Sequence, residues 1–72
     1  LWGSCSEKNN INLNIHLMRL PDRLVDYVIL HELCHTIHKD HSRRFWDRLQ
    51  KLTLEDITLL KRELNQYSPK LY

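Results

Sequence analysis

The sequence predicts an α+β domain: a small antiparallel hairpin packed on a central helix, with two further helices behind it. Three observations carry this. Apolar and polar residues alternate with a period of two in "INLNIHL", residues 11–17. From Pro21 onward the apolar residues recur at helical spacing, with no glycine to interrupt them. Two later stretches each open on a hydroxyl residue suited to cap a helix and then carry a narrow apolar stripe. Strands first and helices afterwards make an α+β arrangement rather than alternating parallel units.

The elements follow in order. "WGSCS" at 2–6 holds the single glycine, Gly3, and reads as a turn-like start. A partner strand is expected around Ser4 to Lys8, with Lys8-Asn9-Asn10 as the hairpin turn. The strand over 11–17 buries Ile11, Leu13, Ile15 and Leu17 and turns Asn12, Asn14 and His16 outward. Pro21 suits the first turn of a helix, where its missing N–H has no helical partner, and Asp22 favours the positive end of the dipole. The helix is expected to run to about Lys39, with Leu24 and Val28 on the face of His31, His35 and His38, and with Val25, Ile29, Leu30, Leu33 and Ile37 covering much of the remaining circumference. That pattern predicts a central helix covered on more than one side. "KDHS" breaks it. Ser42 then caps a second helix, Arg43 to Leu52, with Phe45, Trp46, Leu49 and Leu52 as its stripe. Thr53 caps a third, with Asp56 three residues on and Ile57, Leu60 and Leu64 buried. Pro69 ends the structured part.

The chain's 72 residues allow one domain, and a domain so small often leans on a disulfide or a metal. Its 42% hydrophobic and 28% charged residues suit a folded domain rather than a disordered tail. A net charge of +2 is too mild to argue for nucleic acid or a membrane surface. Two cysteines, Cys5 and Cys34, are too few for a disulfide scaffold and read as reduced thiols. With no signal peptide and no membrane-length apolar run, a cytoplasmic setting is expected.

Five histidines are present, and four of them fall between positions 31 and 41. "HELCH", residues 31–35, puts His31 and His35 four apart on one helix face, where their imidazoles can hold one zinc ion. Glu32 is too close in sequence to be a comfortable third ligand. It is placed to take a proton from a zinc-bound water and return it to a leaving amine. A third ligand is required, and His38, His41 and Glu55 are the candidates. His38 would crowd three ligands onto one straight helix, and Glu55 has a cap and dipole role of its own. His41 lies beyond the helix break, where the chain can turn back, and is favoured.

Other residues have plainer readings. Phe45 or Trp46 is expected to pack under the metal site, Cys34 to be a small core residue, and Tyr27 a core tyrosine. Arg43, Arg44, Arg48 and Lys51 make a basic face on the second helix, read as solvated, with nucleic-acid association a minority reading.

"WGSCS" at 2–6, "NLN" at 12–14, "DYVILHELCH" at 26–35 and "HSRRFW" at 41–46 together resemble the YgjP-like metallopeptidase domain, a family of predicted metal-dependent hydrolases related to the SprT-like zincins. After Trp46 the resemblance is weak. It implies a minimal zincin-like fold, zinc held by His31, His35 and His41, Glu32 as catalytic base, and a peptide or protein substrate. It also implies that residues 1–72 are one domain forming the C-terminal part of a longer protein. Cys34 stands where a small residue such as alanine is usual, and His16 where the position is often basic. Neither touches a ligand position. The rival expectation is a zinc-stapled interaction module without catalysis, in which four protein ligands close the site.

Overall fold

The computed structural model describes residues 2–67. Two short strands, β1 (Gly3–Cys5) and β2 (Ile11–Leu13), form an antiparallel hairpin. Gly3 faces Leu13, Ser4 faces Asn12 and Cys5 faces Ile11. Three helices follow, α1 (Asp22–Cys34), α2 (Arg43–Leu52) and α3 (Ile57–Asn65). α1 is central, with the hairpin on one side and α2 and α3 on the other. The architecture is the predicted α+β one.

The hairpin is shorter than expected. Its turn spans residues 6–10, with Ser6 N–H donating to the Asn10 carbonyl and Asn9 N–H to the Ser6 carbonyl. Asn9 sits at φ 64°, the left-handed region that asparagine tolerates better than most residues. β2 stops at Leu13 because the Asn14 side chain accepts from His16 N–H at 2.8 Å and caps a 3₁₀ turn over Ile15–Arg19. The predicted alternation fails there: Leu17 is buried but Ile15 is 82% exposed.

α1 starts after Pro21 as predicted, with Leu24 and Val25 N–H both reaching the Pro21 carbonyl. It ends at Cys34, not Lys39. The last carbonyls are taken up by tightened turns through Ile37, and the Thr36 hydroxyl donates to the Leu33 carbonyl at 2.6 Å. The helix is packed on more than one side, as predicted, though not all of its apolar residues are covered. Leu24, Tyr27, Val28 and Cys34 are buried, but Leu33 and Ile37 lie half-exposed on the other side.

α2 keeps its predicted bounds, with Phe45 and Leu49 wholly buried and Leu52 half-exposed. Ser42 has the extended backbone of a cap residue, yet its side chain makes no capping bond. Burial of side chains such as Phe45, Leu49 and Leu24 contributes roughly 1.5–3 kcal/mol each, so a few residues from α1 and α2 dominate so small a core. The third helix starts later than predicted. Asp56, not Thr53, is its cap, accepting from Thr58 N–H at 2.8 Å. Thr53 ends α2 instead, and Glu55 lies in the link between the helices. Leu60 and Leu64 are buried and Ile57 partly so, as expected. The expected boundary at Pro69 lies outside the described residues. Among those residues no helix is long and apolar enough to cross a membrane.

Candidate metal centre

His31 lies in the last turn of α1 and His35 is its C-cap. The chain then loops through residues 36–42 and brings His41 back against both. The ring nitrogens of His31, His35 and His41 fall within 4.8 Å of one another. His35 Nε2 and His41 Nε2 are 3.2 Å apart. Two nitrogens bound at about 2.0–2.1 Å to one tetrahedral ion stand roughly 3.3–3.4 Å apart, so this pair already has the spacing of shared ligation.

The ring of His35 is fixed from both sides. Its plane stacks on Phe45, with centroids 4.3 Å apart and an interplanar angle of 22°. Its Nδ1 lies 2.9 Å from the His38 carbonyl. A carbonyl can only accept, so Nδ1 carries the proton, and in the neutral ring Nε2 keeps its lone pair for the cluster. Metal-binding histidines are commonly oriented by such a bond. His41 stacks on Trp46, 5.7 Å between centroids. Its pKa is pushed down, first by burial and then by repulsion from His35, His31 and Lys61. That favours the neutral imidazole, the form that binds metals. Phe45, wholly buried, packs under the cluster as expected, with the His31 ring edge-on at 5.0 Å. Three imidazoles at this spacing, one with its tautomer fixed, fit a divalent metal ion.

Glu32 is only 5% exposed. Its Oε2 is 3.5 Å from His31 Nδ1, too long for a good hydrogen bond. It lies under β1, where a Cβ added at Gly3 would meet Glu32 Cγ and Oε2, and the Asn12 carbonyl oxygen, all at 3.1 Å. Gly3 therefore gives the glutamate its room. Sequence reasoning missed this role; the available signal was the lone glycine of the chain falling in a strand, which often marks a close approach. A cleft of about 200 Å³ opens over His31 and Glu32, with Trp2, Val28, Trp46 and Lys61 among its walls.

The other candidates are placed elsewhere. His38 contributes its carbonyl, while its ring borders a groove beside Arg44 and Arg48. Glu55 pairs with Arg23 at 3.3 Å, and Arg23 also binds Glu63. Tyr27 is 3% exposed, and burial raises its pKa, so it stays a protonated core residue at the edge of the cleft. Both cysteines are free thiols, Cys34 among the most buried residues of the core. On the basic face, Arg43 pairs loosely with Asp47 at 3.8 Å.

No curated protein and no solved structure matches the chain. A family model, that of the YgjP-like metallopeptidase domain, matches residues 1–67 and so extends through α3, well past Trp46. That match spans nearly the whole sequence, and the chain belongs to the YgjP-like metallopeptidase family.

Proposed function

We propose that this chain is a zinc-dependent peptidase domain that cleaves amide bonds in peptides or proteins, with His31, His35 and His41 holding the metal and Glu32 as the catalytic base. The observation that carries this is the convergence of three imidazoles, one of which, His31, lines a cleft together with the buried carboxylate of Glu32. When bound, zinc would supply Lewis acidity, polarising the substrate carbonyl and acidifying a water. Glu32 takes the proton of the water that attacks the carbonyl carbon. As the C–N bond breaks, the same carboxyl returns that proton to the departing amine. Phe45 and Trp46 hold the imidazoles in place against loss of orientation.

Among the described residues no fourth His, Cys, Asp or Glu joins the cluster, which leaves a coordination position for water or substrate. That supports catalysis over a closed structural site. Free thiols, one of them buried, support a reducing compartment, and we read the protein as cytoplasmic.

Glu32→Gln is the deciding variant. Both it and the parent should hold about one zinc per chain by elemental analysis. Cleavage of a fluorogenic peptide library should fall by about 10²–10⁴ in the variant, the usual worth of a general base. Loss of zinc or of the fold in the variant would make Glu32 a structural residue. Absence of zinc from a folded, reconstituted parent would end the hydrolase reading.

A further inference from the structure

Lys61, on α3, borders the same cleft and has no part in the chemistry just described. Its side chain is exposed to solvent, and its Nζ stands 4.9 Å from the centroid of the Trp46 ring. Trp46 in turn stacks on His41, so the ammonium and the histidine cluster share one aromatic neighbour. Among the described residues no carboxylate lies within ion-pair distance of Lys61. The contrast with Arg23 is direct: that guanidinium is matched by both Glu55 and Glu63. A cation–π contact orients an ammonium without neutralising it. The charge of Lys61 is therefore positioned and still available.

The rest of the cleft says what that charge could meet. Trp2, Val28 and Leu64 make apolar walls, and His31 and Glu32 are at the floor. At about 200 Å³ the space equals roughly seven waters at ~30 Å³ each, enough for one substrate side chain rather than a large ligand. Lys61 is the one cation of described residues on its rim beyond the histidine. An apolar-walled slot with a cation on its rim, and the Glu32 carboxylate at its floor, selects a ligand that is apolar within the slot and anionic only at the rim. In an unmodified peptide the anionic groups are carboxylates.

On the peptidase reading above, we infer that Lys61 is a specificity-determining residue that receives a carboxylate of the substrate, from an acidic side chain or from a free C-terminus, while a neighbouring apolar side chain fills the slot. The ammonium exchanges the face of Trp46 for a charge-assisted hydrogen bond to the carboxylate. The electron-rich indole loses its cation in the same step, so tryptophan fluorescence reports the exchange.

The test uses matched short peptides, Glu against Gln at each position in turn, each with a free or an amidated C-terminus. They are titrated into the zinc-loaded full chain carrying Glu32→Gln, so that binding is read by fluorescence without turnover. The same peptides are then given to the zinc-loaded parent for kcat/KM. The carboxylate member of a pair should bind about fivefold or more tightly, the size of a good exposed ion pair. Lys61→Met should erase that preference, leave the affinity for the neutral member unchanged, and keep the zinc content. Lys61→Glu should reverse it. Whichever pair shows the effect, side chain or terminus, identifies the source of the carboxylate. A preference that survives Lys61→Met, no preference in any pair, or no peptide binding at all overturns the inference. Hydrolysis by the parent that is indifferent to Lys61 overturns it while leaving the peptidase reading intact. Lys61-dependent carboxylate binding with no hydrolysis does the opposite.

Discussion

Two links flank α2, and they are held in opposite ways. The link before it, residues 35–42, is closed through a candidate ligand: the His35 ring donates to the His38 carbonyl and faces the His41 ring. Lys39 ties it to the hairpin turn through the Ser6 carbonyl at 3.0 Å and the Asn9 side chain. The link after α2, residues 53–56, is closed by a neutral amide. Gln50 Nε2 donates to the Glu55 carbonyl at 2.9 Å, and its Oε1 accepts from Ile57 N–H at 3.0 Å. The Thr53 hydroxyl adds a bond to the Glu55 carbonyl. The second link is complete as it stands. The first is completed by imidazoles whose ring nitrogens converge, so a bound metal would close it further. Shape and metal affinity should therefore be coupled before α2 and uncoupled after it.

The largest effect expected from that contrast is at His41, which the first link carries to the cluster. His41→Ala should lower zinc affinity by more than the ~10–100-fold that loss of an orienting partner costs. Competition with a chromophoric chelator would measure it, with circular dichroism checking that the helices persist. Glu55→Ala, in the second link, should leave zinc affinity unchanged because Glu55 is engaged with Arg23. Weakened zinc binding in Glu55→Ala would break the comparison, since the second link would then belong to the site.

The same contrast explains what could be read from the sequence. The existence of all three helices and the bounds of α2 follow from apolar spacing, which tertiary packing reinforces at Phe45 and Leu49. The proximity of His31 and His35 follows from a spacing of four on a helix. Two of the errors share one cause, side chains that bond to nearby backbone and end an element early. Asn14 does this to β2, and Thr36 with His35 does it to α1. Ile37 continues the helical pattern past the point where those bonds stop the helix, so periodicity alone overran it. Thr53 and Asp56 are both good caps by type; the choice between them is made by Gln50, whose bonds to either side of the link are invisible in a propensity. The approach of Glu32 to Gly3 joins residues far apart in the chain, and no local pattern encodes it.

A smaller effect should come from Gln50. Gln50→Ala removes the donor to Glu55 and the acceptor for Ile57 together. At about 0.5–1.5 kcal/mol net for each bond, the loss is roughly 1–3 kcal/mol. In a domain of this size Tm falls by about 4–8 °C per kcal/mol. Thermal melts of the metal-free protein should show that drop, while zinc affinity stays at the parent value. A fall in zinc affinity with no change in the apo Tm would invert the assignment of the two links.

The smallest effect, and the sharpest, separates two aspartates that do the same job in the two links. Asp40 Oδ1 accepts from Ser42 N–H at 3.2 Å, and Asp56 Oδ1 accepts from Thr58 N–H at 2.8 Å. The Asp40 carboxyl is held below its ordinary range by the Ser42 hydroxyl and then by the Ser42 N–H, so at neutral pH it is ionised and accepting. Asp40 precedes His41, and its turn sets the direction in which that ring leaves the chain. Asp40→Ala should thus weaken zinc binding by a few-fold, less than the ~10–100-fold of a buried orienting partner because Asp40 is exposed. Asp40→Asn keeps an acceptor oxygen and should restore most of the affinity. Asp56→Ala should lower the Tm through loss of the α3 cap and leave zinc binding alone. Equal zinc affinities for Asp40→Ala and Asp56→Ala would mean that the geometry of the first link is set by the imidazole cluster itself, with the aspartate turn only following it.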